Sequence, residues 1–258
     1  MPPIEPTPAA ERPFHVHLTG FGPFGPHSIN PSWDAVKPLH DTLLSSAPPP
    51  LSASPSSSSG ASPPSSSSLK ARPIRLTSSL LPVSYPACTA FLPLLHRGGR
   101  AGAHRPDLVV HVGVGLQGGV RLEGRARRWG YEREDVNGEL AEVEEGEGEG
   151  VRRGCTEVEG PEEVWTGVQR EEVLRWVRGS GVKYVDLSED AGLYLCEFTY
   201  YTSLASAASI AAASDPPAKS TPVLFVHVPP AGEPYSIDEL TSILRLVAWS
   251  VVNEGGLH

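Results

Sequence analysis

Cysteine is scarce in this chain, at three residues in 258: Cys88, Cys155 and Cys196. An odd number at spacings that match no ligand cluster excludes a disulfide framework and a structural zinc site. Basic charge is in deficit too, with 21 Lys and Arg against 30 Asp and Glu and a formal net charge of -9. That balance argues against a general nucleic-acid or anionic-membrane surface, although much of the excess sits in one acidic run. Apolar runs of transmembrane length are missing, as are the basic and apolar regions of a signal peptide near Met1. A cytoplasmic, reducing location is therefore expected, with no membrane and no nucleic-acid partner. Internal repeats are absent.

What the chain has in abundance is proline (27) and glycine (26), and both are clustered rather than spread. Residues 1–13 are Pro-rich and read as a loose tail. Residues 45–70 are almost entirely Ser, Pro and Ala and cannot bury enough apolar surface to offset their ordering entropy, which predicts a disordered insertion. Residues 139–150 are acidic and Gly-rich, and read as a solvated loop. Outside these segments, strand and helix signals alternate from residue 14 to 258. That alternation predicts one domain, an α/β/α sandwich with a central twisted, mostly parallel sheet and helices on both faces.

The predicted strands are short and β-branched: 14–19, 71–77, 105–115, 182–187 and 223–228. The predicted helices run from Ser32 as cap to about Leu44, around Cys88 to Leu95, over 162–179, through Cys196 to Ala213, and from Ser236 to about Val252. Phe21 and Phe24 are large apolar groups on a loop at the carboxyl end of the first strand. They read either as core plugs or as walls of a shallow pocket. Gly113, Gly115 and Gly118 match a dinucleotide-binding pattern, but no helix continues after them and no acidic strand end follows, so that pattern carries no weight.

One thiol stands where it could act as a nucleophile. Cys196 falls in the first turns of a helix that follows a buried strand, where unpaired N–H groups and the positive dipole end favour a thiolate. A lone helical cysteine is otherwise a small buried hydrophobe, and Cys88 is read that way, with no acid or base close by in sequence. Cys155 reads as part of a polar loop. A nucleophilic thiol needs a base, and the base needs an orienting acid. His111 and His227 both lie at the carboxyl ends of predicted buried strands. His227, just before Pro229 and Pro230, is the better placed. Glu123 follows the glycine loop and is the candidate acid. No His/Cys/Asp cluster has ligand spacing, so neither metal nor cofactor is expected.

Four blocks of the chain, in order, are similar to those of a known family. Thr19-Gly-Phe-Gly-Pro-Phe-Gly25 with Asn30-Pro-Ser-Trp33 resembles the N-terminal signature of pyroglutamyl peptidase I, a cysteine peptidase family. Leu122-Glu123 with Gly130-Tyr131 and Asp135-Val-Asn-Gly138 resembles the segment bearing that family's glutamate, in a fungal-type form. Asp190-Ala-Gly-Leu-Tyr-Leu-Cys196 with Tyr200-Tyr-Thr-Ser-Leu-Ala205 resembles its nucleophile signature, and Phe225-Val-His-Val-Pro229 the segment with its histidine.

The resemblance implies a Cys196–His227–Glu123 triad that removes an N-terminal pyroglutamate (5-oxoproline) from a small peptide. It implies a slot for the flat, uncharged lactam between Phe21 and Phe24, backbone pairing near Val114, and Asn30 bracing the first loop. The Cys196 N–H and an arginine such as Arg133 are the implied oxyanion donors. Two rival expectations are a non-catalytic relative that binds peptide N-termini, and an amidase for another small lactam or acyl group. A charged residue in the pocket would favour the amidase.

Overall fold

The computed structural model describes residues 12–24, 29–51, 71–98, 104–146 and 150–257. The tail at 1–11 and most of the Ser/Pro-rich insertion, 52–70, lie outside the described residues. In chain order the elements begin with β1 (Phe14–Phe21), α1 (Pro31–Val36), β2 (Thr42–Leu44), β3 (Ile74–Leu81), α2 (Tyr85–Arg97) and β4 (Leu108–Val114). Then come β5 (Val120–Glu123), β6 (Arg125–Arg127), β7 (Val143–Gly146), β8 (Gly150–Arg153) and β9 (Glu163–Trp165). The chain closes with α3 (Arg170–Gly179), β10 (Val185–Ser188), α4 (Leu195–Ala212), β11 (Val223–Val228) and α5 (Ile237–Asn253).

Seven strands form one sheet in the order β10-β5-β11-β4-β1-β3-β2. Pairings are parallel except β11 with β5 and β2 with β3. Strand periodicity decides what each face carries. Val16, Leu18, Leu108, Val110, Val112, Leu122, Leu224 and Val226 face α1, α3 and α5 and share one apolar core with them. The intervening residues face α2 and α4. There a second core, containing Phe21, Val109, Val223, Phe225, Tyr200 and Tyr201, surrounds polar side chains of the same sheet face. Helix α4 is buried on nearly every side, which accounts for its lack of a polar stripe.

Several local expectations are corrected. The first helix stops at Val36, because Pro38 cannot continue it; a single 3₁₀ turn, Lys37–Leu39, leads into edge strand β2 instead. Its cap is Asn30 rather than Ser32, with Pro31 at the first helical position, where a missing N–H costs nothing. Residues 162–179 are not one helix. Gly167 separates β9, which pairs with β6, from α3. The acidic run is not a plain loop either: β7 pairs with β8 in a register that sets Glu144 opposite Arg152, so opposite charges sit across the strands. Residues 147–149 lie outside the described residues. Cys155 is buried rather than in a polar loop, and its sulfur accepts from Thr202 Oγ1 at 3.4 Å. Arg12, placed in the tail by sequence, is tied to Asp107 at 2.6 Å.

Candidate active site

Alternation along β4, β5 and β11 brings the chemistry to one side of the sheet. In β11, Leu224, Val226 and Val228 join the first core, which turns Phe225 and His227 toward α4. In β5, Leu122 faces the first core and Glu123 the other, and the antiparallel register sets Glu123 opposite Phe225. His227 Nδ1–H donates to Glu123 Oε1 at 2.8 Å, and both residues are buried. The same ring feels the Cys196 side chain, which raises its pKa. Burial disfavours the charged imidazole, yet the Cys196 sulfur and the Glu123 carboxylate outweigh it and raise the His227 pKa to about 9. His227 therefore holds a proton at neutral pH.

Cys196 is the second residue of α4, partly exposed, at a helix start whose cap, Tyr194, is extended and offers no side-chain hydrogen bond. Among the described residues no side chain caps the first-turn N–H groups, which suits them to meet a ligand. Gly113 makes room for the thiol: a Cβ there would stand 2.8 Å from Cys196 Sγ and 2.8 Å from Phe225 Cζ. The other two cysteines are buried, and burial pushes the Cys88 thiol up to about 12. His111, the other candidate base, is fully buried against Thr19 Oγ1 at 2.7 Å and outside the cleft lining.

Cys196, His227 and Glu123 open on a cleft of about 1080 Å³, whose walls include Phe24, Val114, Leu193 and Tyr194. Phe21 is not among its walls. It is 3% exposed at the end of β1 and belongs to the second core, with Leu81 and Val83. Asn30 holds the first loop from behind. Its Nδ2 donates to the Gly22 carbonyl at 2.9 Å and its Oδ1 accepts from Ser32 N–H and Oγ. Ser32 Oγ in turn accepts from Phe21 N–H at 3.0 Å. An uncharged pocket was expected, but Arg121, Arg133 and Asp190 also line the cleft; each is engaged by protein groups, Asp190 by Arg127, so their presence does not by itself favour the amidase. Arg121 bonds the Leu116 and Gln117 carbonyls, and Arg133 lies 4.3 Å over the Tyr194 ring.

Three supports escaped the sequence reading. Tyr200, one turn beyond Cys196, donates to the Glu123 carbonyl at 3.0 Å, and its i+4 spacing was the available signal. Arg170 is buried and bonds the carbonyls of Leu122 and Ser188, tying the ends of β5 and β10 together. Arg127, treated below, gave no local signal. A smaller cavity of about 340 Å³, lined by Tyr85, Thr89, Cys155 and Thr202, contains none of the three candidate catalytic residues. Among the described residues no group of three His, Cys, Asp or Glu could hold a metal ion, and no helix is long and apolar enough to cross a membrane.

No family model matches the chain. Among curated proteins it is 32% identical to mouse and to human pyroglutamyl-peptidase 1 over 234 residues, covering 90% of this chain and 87% of each relative. The crystal structure of pyroglutamyl peptidase I from Bacillus amyloliquefaciens superposes with a TM-score of 0.65 at 21% identity, covering 95% of this chain and 98% of that one. Pyrrolidone carboxyl peptidase from Fervidobacterium islandicum gives a TM-score of 0.65 at 24% identity, with 92% and 98% covered. These two likenesses speak for the fold.

Proposed function

The chain belongs to the pyroglutamyl peptidase I family, and from that membership we propose that Cys196, His227 and Glu123 are the groups with which it removes an N-terminal pyroglutamate from a small peptide. The observation that carries the assignment is the imidazole of His227, bonded to Glu123 Oε1 at 2.8 Å and lining one cleft together with Cys196, whose side chain raises its pKa.

The chemistry follows from that arrangement. With the proton resting on His227, the Cys196 sulfur attacks the pyroglutamyl carbonyl and a C–S bond forms. The oxyanion that develops faces the N–H groups of the first turn of α4. His227 gives its proton to the amine as the C–N bond breaks, leaving a thioester and a free peptide. Water then attacks the thioester, His227 takes the water's proton, and 5-oxoproline leaves as the sulfur is freed. Glu123 holds the imidazole by its Nδ1–H and stabilises its charge, as the third member of a triad does. Phe24 and Val114 are the lactam's candidate contacts, with Asn30 holding the Gly22 carbonyl in the loop that leads to Phe24, and Phe21 in the core. The cleft is far larger than one lactam ring, which leaves space for the peptide beyond it.

The test is mass spectrometry of a peptide with N-terminal pyroglutamate, incubated with the reduced protein beside the same peptide beginning with proline. Release of 5-oxoproline from the first and no change in the second is the expected result. Cleavage of both would favour a broader amidase, and cleavage of neither a binding relative.

A further inference from the structure

Glu197 follows Cys196 directly, in the first turn of α4, and is 1% exposed. An ionised carboxylate there needs a partner, because an unpaired buried charge is costly. Arg127, the last residue of β6, gives it three hydrogen bonds. Its backbone N–H and Nε reach Oε1 at 2.9 and 2.7 Å, and Nη2 reaches Oε2 at 2.8 Å. The same Nη2 also donates to Asp190, a wall of the cleft whose Oδ1 accepts from Gly192 N–H at 3.2 Å. From the far side, Tyr131 Oη donates to the Arg127 carbonyl. One guanidinium thus joins the strand after Glu123, the turn before the cysteine, and the helix that carries it.

We propose that Arg127 is a positioning residue for the nucleophile, which cancels the charge of Glu197, the residue after Cys196, and fixes the turn 188–194 against the start of α4. This rests on the reading of Cys196 as nucleophile. Without Arg127, a buried carboxylate would stand one residue from the atom that must bear negative charge, where low dielectric strengthens repulsion. Other charges do not take its place. Glu123 is occupied with His227, Arg121 with the carbonyls of the glycine loop, and Arg133 lies over Tyr194. Tyr131, Cys88 and Cys155, on the core side, are kept neutral by burial.

The test is the rate of Cys196 alkylation by iodoacetamide as a function of pH, read by peptide mass spectrometry. It is run beside kcat and KM on a pyroglutamyl amide. Arg127→Met is expected to raise the alkylation midpoint by about one pH unit, and to lower kcat ~10- to 100-fold with little change in KM. Glu197→Gln, which leaves Arg127 unbalanced, shifts the midpoint down. The double variant Arg127→Met/Glu197→Gln returns it close to the parent. An unmoved midpoint in Arg127→Met overturns the proposal, and so does an equal rise in the single and double variants, which would mark a purely structural role. If Arg127→Met does not fold, Glu197→Gln decides alone: no downward shift overturns the proposal. Variants that show these alkylation shifts beside a parent that hydrolyses no amide contradict the peptidase reading and leave the role of Arg127 standing.

Discussion

Acidification should destabilise this fold through histidines that take no part in catalysis. His17 on β1 and His96 near the end of α2 are 9% and 1% exposed. His17 Nδ1 bonds Thr77 Oγ1 at 2.8 Å and His96 Nε2 bonds Ser203 Oγ at 2.7 Å, while the second nitrogen of each ring is buried with no partner among the described residues. Burial lowers both pKa values to about 4, assisted at His17 by His15, His40 and His96, and at His96 by Arg105. His111, fully buried on the same sheet face, is lowered too. In the unfolded chain each ring titrates near 6.5. Between about 4 and 6.5 the unfolded state therefore binds more protons, so stability is complete above 6.5 and lost as pH falls through that window. At pH 5 each of the two rings costs ~2 kcal/mol, about 4 kcal/mol together, with a slope of ~2.7 kcal/mol per pH unit. A typical domain has only ~5–15 kcal/mol in all. His227 works the other way above that window and adds little to the slope within it. Its pKa is raised, so its contribution is complete below 6.5 and is lost as pH rises through about 9. Urea unfolding followed by tryptophan fluorescence from pH ~7.5 to ~5 measures the slope directly. His17→Gln/His96→Gln should flatten it even if it lowers stability at neutral pH. A parent whose stability is level across that range would refute the reasoning.

Other outcomes are expected at the site itself. Glu123→Gln removes the carboxylate that holds His227 Nδ1–H; kcat/KM on a pyroglutamyl amide should fall by ~10³ or more, with the fold retained by circular dichroism. Gly113→Ala drives a methyl group against Cys196 Sγ and Phe225. It should lower both kcat and melting temperature, whereas a substitution at exposed Gly138, where φ is 78°, should affect stability alone. Asn30→Ala loses the cap of α1 and the bond to the Gly22 carbonyl; ~1 kcal/mol of stability should go, along with a rise in KM as Phe24 loses its fixed loop.

Much of this was legible in the residues because the sheet is strictly periodic. The order Phe14, His15, Val16, His17, Leu18, Thr19 already states that one face of β1 is apolar and the other polar, and in β11 the same period of two sets Phe225 and His227 on the face opposite Leu224 and Val226. Cys196 at a strand-to-helix turn was equally plain. What failed were readings that local pattern cannot settle. Phe21 and Phe24 look alike in sequence, yet the last residue of β1 turns Phe21 into the core and leaves Phe24 at the cleft. Val164 and Val168 keep a helical spacing that Gly167 interrupts. Arg127 and Glu197 lie 70 positions apart, and nothing in either neighbourhood announces the other. The Asn30 network was half visible: the cap could be read, but its grip on the Gly22 carbonyl needed the loop's return to be known.

The central claim is that Cys196 is the nucleophile for a pyroglutamyl carbonyl. Its most direct measurement is release of a fluorescent amine from a pyroglutamyl amide by the reduced protein, beside Cys196→Ala, with folding of both checked by circular dichroism. The account predicts turnover by the parent, none by the variant, and none by either protein on the prolyl amide. Equal turnover by parent and variant, or none by a folded parent, would contradict it.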